Sequence, residues 1–378
     1  MRVAIVHYWL VTMRGGERVI EALLDLYPEA DIFAHVADPA ALSPRIAARL
    51  KGTTFVGRIP GAKRLYKKLL PLMPLALERL DLSDYDLVIS SEAGPAKGVL
   101  PRADALHVCY CHSPMRYLWV MPEGYLAELP RVLRPLASWM LHRMRIWDVT
   151  TAARVDHFIA NSTTVATRIR KFWRRESTVV HPPVDLDRFA VAAAGPGDAY
   201  LFASQLVGYK RADIAVRAFA GSERTLLVAG EGSELAALRR IATPNVRFLG
   251  RVTDEELARL YARCRALVFC ADEDFGIVPL EAMASGRPVI AFGRGGVRET
   301  VVDGVTGLFF HAQTADSLRA TLERFETMEA RFDPAAIRRH AERFGRERFV
   351  AEIRTLVERW QDEARMLDEL PALATPAQ

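Results

Sequence analysis

Residues Ala266–Thr300 read ALVFCADEDFGIVPLEAMASGRPVIAFGRGGVRET, and the fold is decided here. The apolar run Ala266–Cys270 is short and rich in large side chains, as a buried strand requires, and it stops at the acidic cluster Asp272, Glu273 and Asp274. From Phe275 the spacing turns helical, with Ile277, Leu280 and Ala284 on one stripe, until Gly286 supplies the left-handed residue that commonly ends a helix. A second strand, Pro288–Phe292, then leads into a turn carrying Gly293, Gly295 and Gly296 and a further short helix. Strand, loop, helix, strand, loop, helix is the repeat of a doubly wound α/β sheet.

Two carboxylates in this unit need a chemical reason. Glu281 lies in an otherwise apolar helical turn, where an ionised carboxylate is costly unless it is hydrogen-bonded. Side chains lean toward a helix N-terminus, so Glu281 is expected to point back at the helix start and at Glu273 in the loop before it. In doubly wound sheets that end of the strands binds ligands, and the free N–H groups and positive dipole end of a helix suit phosphate there. A ligand carrying both phosphate and hydroxyl groups would satisfy the whole set. A purely structural alternative pairs Glu281 with Arg287 or Arg298 and leaves Glu273 as a solvated loop residue.

Outward from this stretch the alternation continues. Val3–Val6 is a continuous apolar run suited to a parallel strand covered on both faces. The turn after it carries Arg14, Gly15, Gly16 and Glu17 ahead of a helix over Arg18–Leu26, and its glycines either admit a ligand to the backbone or simply make a tight turn. Strands are expected at Asp31–His35, Asp86–Ser90, Leu106–Cys111 and Asp156–Ala160. The third delivers His112 to a carboxyl strand end, placed there for ligand contact or for an ordinary hydrogen bond. Asn161 and Ser162 supply an N-cap for a helix running to about Phe172, and Pro182-Pro183 stiffens the crossing between two halves. In the second half, strand Ala199–Ser204 ends at Gln205 and leads to Lys210 and Arg211. A lysine at a helix start opposes the dipole, so an anionic ligand would explain it, with plain solvent exposure as the alternative. Near the end, Phe349, Ile353, Leu356 and Trp360 form the apolar stripe of a last helix, and the tail Pro371–Gln378 is expected to be loose.

Composition bounds the rest. A chain of 378 residues that is 50% hydrophobic can bury two cores of ordinary domain size. No apolar run reaches the roughly 18 residues a membrane span needs, and no secretory segment is visible, so a cytosolic protein is expected. Cys109, Cys111, Cys264 and Cys270 read as small buried apolar residues in a reducing compartment. His107, Cys109 and Cys111 alternate onto one strand face but lack a spaced fourth metal ligand. The net charge of +5 suggests an anionic partner. Nucleic acid is disfavoured by the absence of a recognition motif. Gly61–Leu80 sets Lys63, Arg64, Lys67 and Lys68 beside Leu65, Leu69, Leu70, Leu72 and Met73, and Arg131–Trp147 sets Arg131, Arg134, Arg143 and Arg145 among Leu133, Trp139, Met140 and Trp147. Both resemble surfaces that lie on an anionic bilayer, or amphipathic helices packed on the N-terminal sheet.

Glu273 and Glu281, with seven residues between them that include Phe275 and Gly276, resemble the E-x7-E motif of the retaining family 4 glycosyltransferases, which use nucleotide-sugar donors. The resemblance runs through YKR (Tyr209–Arg211), AGEG (Ala229–Gly232), VRFLGRV (Val246–Val252) and GGVRE (Gly295–Glu299). It implies an α/β fold of two facing Rossmann-like domains, the GT-B type. Residues 1–182 would form an acceptor-binding domain, joined by a returning C-terminal helix at about 345–370, and residues 183–344 a nucleotide-sugar-binding domain. On the same resemblance the catalytic set is His112, which orients the donor sugar, Lys210 on the diphosphate, and Glu273 on the sugar hydroxyls. Donor binding falls to Gly15, Gly16, Gln205, Arg211, Arg251, Val252, Phe275, Gly276, Ile277 and Glu281, with Glu281 on the ribose and Arg251–Val252 beside the base.

Two departures stand out. The family reads G-G-x-E where this chain has Glu17 directly after Gly16, and it carries arginine where this chain has Gln205, for which Arg211 or Arg294 would substitute. No metal or cofactor is implied beyond the nucleotide-sugar co-substrate. CHSPMRYLW, Cys111–Trp119, is similar to the subgroup that moves mannose from GDP-mannose onto polyprenyl-diphosphate-linked saccharides. That implies a lipid-linked acceptor, polysaccharide assembly, and a peripheral position on the inner face of the cytoplasmic membrane. A sugar-phosphate synthase with a soluble phosphorylated acceptor and a non-catalytic nucleotide-binding module are the other two readings.

Overall fold

Strand Val3–His7 (β1) is buried along its whole length because its alternate residues face two different cores. Val3 and Ile5 join Val19, Ile20 and Leu23 of the helix Gly15–Leu26 and Phe349, Ile353, Val357 and Trp360 of the helix Arg346–Asp368. Ala4 and Val6 join Phe33, Leu77, Tyr85 and Val88 on the other side. The computed structural model describes residues 1–127, 129–193 and 195–368, so the expected tail Pro371–Gln378 lies outside the described residues.

Six more strands complete a parallel sheet around β1. They are β2 (Asp31–Ala34), β3 (Leu50–Thr53), β4 (Leu87–Glu92), β5 (Leu106–Cys111), β6 (His157–Ala160) and β7 (Thr178–Val179), in the order β3-β2-β1-β4-β5-β6-β7. A second parallel sheet contains β8 (Ala199–Ala203), β9 (Thr225–Ala229), β10 (Val246–Gly250), β11 (Leu267–Phe269), β12 (Val289–Phe292) and β13 (Gly307–Phe310), in the order β10-β9-β8-β11-β12-β13. Each order reverses once, between β1 and β4 and between β8 and β11. At such a reversal the loops at the carboxyl ends diverge and leave room for a ligand.

The chain divides into two compact units, one of Met1–Ala160, Ile169–Val180 and Glu347 onward, the other of Asn161–Arg168 and His181–Arg346. The expected first domain runs through residue 182, whereas in the structure Asn161–Arg168 groups with the second unit. The reason lies in its bonds. Glu299 accepts the Thr163 backbone N–H at 2.9 Å and the Thr163 hydroxyl at 2.7 Å, while Arg168 pairs with Asp274. The terminal helix belongs to the first unit, and the stripe it buries differs by one residue from the expected one: Val357 is 2% exposed, whereas Leu356 is half-buried.

All four cysteines are free and buried, and burial pushes their thiols up, Cys264 to about 12. Among the described residues no helix is long and apolar enough to cross a membrane.

Phe349 is fully buried under the first sheet. Phe349→Ala is therefore expected to cost about 3–5 kcal/mol. Urea unfolding followed by tryptophan fluorescence should show a lower midpoint at an unchanged slope.

Candidate active site

In the second unit the acidic loop after β11 is held by main chain. The Gly296 N–H donates to the Glu273 carbonyl at 2.8 Å. Gly295 has a φ of +76°, and a Cβ on Gly295 or Gly296 would run into the Glu273–Phe275 backbone. The glycine turn after β12 is thus a wall fitted against the loop. So placed, Glu273 meets Lys210: Oε1 accepts from the ammonium, with the two side chains 17% and 15% exposed. Lys210 closes the short turn Gly208–Lys210, and Arg211, at a φ of +55°, leads into the helix Ala212–Phe219. The helix Ile277–Ala284 begins immediately after Gly276, which has a φ of +91°, with Phe275 buried just before it.

Glu281 takes the hydroxyl of Tyr261 at 3.0 Å. Tyr261 lies on the helix Asp254–Arg263 and is fully buried; burial first, and then the charge of Glu281, push its phenol well up, so it stays a donor. Nothing in the spacing of the sequence announced this partner. Arg211 sends its guanidinium to Asp213 at 3.0 and 3.1 Å and to Gln313 at 3.2 Å, so one of the two substitutes expected for Gln205 is already engaged. The other, Arg294, pairs with Asp272 at 3.1 Å and stays 73% exposed. Gln205 itself is exposed. Arg251 and Val252 line a cavity of about 570 Å³ with Leu227, Leu249 and Leu260, which none of Lys210, Glu273 and Glu281 lines.

Glu299 of the GGVRE run has a structural task. It collects the N–H groups of Thr163 and Thr164 at the start of the helix Thr163–Trp173, and His181 at 3.0 Å. Burial alone would raise its carboxyl, and these bonds bring it below the usual range. His181 in turn stacks on Phe275, ring centres 5.3 Å apart.

In the first unit the candidate groups gather at the carboxyl ends of β1, β4 and β5. His112 is half-buried, and its Nε2 lies 2.8 Å from Ser91 Oγ, which is also 3.0 Å from His7 Nδ1. Burial pushes the His112 imidazole down to about 4, so the ring is neutral at neutral pH. A Cβ on Gly16 would stand 3.0 Å from Tyr8 Oη and 3.2 Å from His7 Cε1. Glycine there lets the helix Gly15–Leu26 start against the imidazoles. Glu17 turns back to accept the Arg14 N–H at 2.9 Å, satisfying one free donor at the start of its own helix. Its carboxyl is buried and pushed up to about 7, desolvation being the largest cause.

A fully buried cluster, missed in the sequence, holds the loop that bears His112. Lys97 bonds Glu92 at 3.1 Å and also Asp148, which takes the indole N–H of Trp119 at 2.7 Å and of Trp173 at 2.8 Å. The main-chain N–H of His112 donates to the Glu92 carbonyl at 2.8 Å. His107 is occupied by Ser90 at 2.9 Å and the Arg154 carbonyl at 3.1 Å, and among the described residues no three metal-binding side chains gather. The stretch Gly61–Leu80 folds as short helical pieces that bury Met73, Ala76 and Leu77 and expose Leu65, Leu72 and Leu75. The helix Arg134–Thr151 leaves Leu136 58%, Trp139 60% and Ile146 47% exposed.

Residues 13–188 match the model described as Glycosyltransferase Family 4, and residues 184–347 the one described as Glycosyl transferases group 1. Each match takes in a little less than half of the chain, and together they run from residue 13 to residue 347. The chain is 32% identical over 237 residues to the D-inositol 3-phosphate glycosyltransferase of Streptomyces avermitilis, a match covering 53% of this chain and 51% of that one. It thus spans about half the length of the curated relatives it matches. In fold it is similar to Anabaena HepE, solved in complex with UDP (TM-score 0.70, 18% identity, 95% of this chain and 100% of that one). The sucrose-phosphate synthase of Thermosynechococcus elongatus gives a TM-score of 0.71 at 19% identity, over 96% of this chain and 100% of that one. These two likenesses establish the two-sheet GT-B fold that the resemblance implied.

The buried carboxyl of Glu17 binds its proton more tightly in the folded chain, so it weakens the fold progressively as pH rises from about 4.5 to about 7. Glu17→Gln removes that dependence while keeping an acceptor for Arg14. The variant's stability relative to the parent should grow by about 1–3 kcal/mol between pH 5 and pH 8, measured by chemical denaturation at both pH values.

Proposed function

We propose that this protein transfers a sugar from a nucleoside diphosphate to a phosphate-bearing acceptor with retention of anomeric configuration. The observation that carries the reading is the Lys210–Glu273 pair, which joins the loops after β8 and β11 beside the start of the helix Ile277–Ala284. A donor entering there offers Lys210 its diphosphate in place of the carboxylate, and offers Glu273 sugar hydroxyls in place of the ammonium. Each partner exchanges one charge-assisted bond for another. As the bond from sugar to phosphate breaks, negative charge gathers on the diphosphate. The Lys210 ammonium and the N–H groups of Phe275, Gly276 and Ile277 stabilise it. Glu281, steadied by Tyr261, holds the ribose hydroxyls, and Arg251 and Val252 lie beside the base. His112, with Gly15 and Gly16 close by, is the first unit's own candidate for contact with a substrate hydroxyl. Neither Glu273 nor Glu281 acts as a covalent nucleophile, so the acceptor attacks on the face the diphosphate leaves.

The names of the curated relatives support a soluble phosphorylated acceptor. A second reading, a lipid-linked saccharide at an anionic membrane surface, is supported by the exposed Leu136, Trp139 and Ile146 on a helix that also carries Arg134 and Arg143. The four reduced, buried thiols fit a cytoplasmic site for either. GDP-mannose, UDP-sugars and ADP-sugars are the donors to compare.

One nucleoside diphosphate among GDP, UDP and ADP should raise the thermal midpoint, and its sugar conjugate should be turned over. Turnover with a soluble sugar or cyclitol phosphate in lipid-free buffer supports the first reading. Turnover confined to a polyprenyl-diphosphate-linked saccharide in anionic vesicles supports the second. Lys210→Ala is expected to lower kcat by about 100-fold or more, and a chelator to leave the rate unchanged. Nucleotide binding without transfer to any acceptor would leave only a binding module.

A further inference from the structure

The carboxyl ends of β1, β4 and β5 bring His7, Ser91 and His112 into one hydrogen-bonded row. His7 and Ser91 are register partners on adjacent strands, both fully buried. The Ser91 hydroxyl lies 3.0 Å from His7 Nδ1 and 2.8 Å from His112 Nε2. The two imidazoles stand nearly perpendicular, at 87°, with centres 6.4 Å apart. A hydroxyl has one proton to give. Between two ring nitrogens it must donate to one and accept from the other, so the tautomers of the two histidines are locked together.

The far side of His7 decides which way the row runs. His7 Nε2 is buried without a hydrogen-bond partner among the described residues. A proton there would make an orphaned buried N–H, a rarer arrangement than an unprotonated acceptor left over. The proton of His7 therefore belongs on Nδ1, donating to Ser91, whose own proton goes to His112 Nε2. His112 is left with its proton on Nδ1. Burial keeps both rings neutral, and for His7 repulsion from a charged His112 would add to that effect.

We infer that His7 is a positioning residue which, through the Ser91 hydroxyl, fixes His112 as the Nδ1–H tautomer, so that it presents a substrate with a hydrogen-bond donor rather than a lone pair. The importance of the row for transfer rests on the function proposed above; the tautomer itself does not. In this chain the second nitrogen of an imidazole is set by the bond the first one makes, as elsewhere.

Long-range proton–nitrogen NMR of the imidazoles in the full chain tests it. In the parent, His112 should show a protonated Nδ1 and an unprotonated Nε2. Ser91→Ala and His7→Phe remove the row, and His112 should shift toward the Nε2–H form. His7→Asn, which puts an amide N–H near the position of Nδ1, should restore the parent pattern. In transfer assays Ser91→Ala should lower kcat by about 10- to 100-fold with little change in the donor KM, and His7→Asn should recover most of the loss. A parent His112 protonated at Nε2, or a tautomer indifferent to Ser91→Ala, would overturn the inference. Ser91→Ala deletes only a hydroxyl, so it keeps the test open should His7→Phe fail to fold. Full transfer by His112→Ala would instead count against the proposed function, and the spectra would still decide the tautomer.

Discussion

The second unit depends on a fit of backbone against backbone. The loop Glu273–Phe275 has the Gly295–Gly296 turn pressed on it so closely that neither glycine has room for a Cβ, and the Gly296 N–H closes on the Glu273 carbonyl. Main chain cannot change rotamer, so the loop is fixed more firmly than side chains could fix it. From it follow the meeting of Glu273 with Lys210, the burial of Phe275 on His181, and the anchoring of Asp274 by Arg168. A methyl group at residue 295 or 296 would disturb all three together.

The first unit solves the same problem with buried polar groups. Lys97 between Glu92 and Asp148, with two indole N–H groups on Asp148, is a cluster whose members hold one another and the loop bearing His112. Such a cluster contributes little net stability, because desolvating three charges offsets most of their attraction, and removing one member is costly. Its value lies in position. Where the second unit fixes a carboxylate by close contact, the first fixes an imidazole by a chain of bonds.

The architecture was legible because parallel strands covered on both faces appear as unbroken apolar runs, as at Val3–Val6 and Leu267–Phe269. The edge strands were harder. β3 reads LKGT with no buried residue, and β7 is two residues long, so neither has a core to write a pattern for. Lys210 and Glu273 were legible from their places at strand ends. Tyr261, Lys97 and Ser91 were not, since their partners Glu281, Asp148 and His112 stand 20, 51 and 21 residues away and share no face or period with them. A glutamate one position early, at Glu17, was visible as a departure from the family, but its bond to the Arg14 N–H was not.

The burial of the four cysteines has a practical side. A thiol reacts as its anion, and each of these is buried, so that desolvation keeps it protonated. The native chain should therefore be silent toward maleimides and mild oxidants. A single cysteine introduced at an exposed position such as Ser138 would be the reactive sulfur of the molecule, and fluorophores or spin labels could be attached there without first stripping the natural ones.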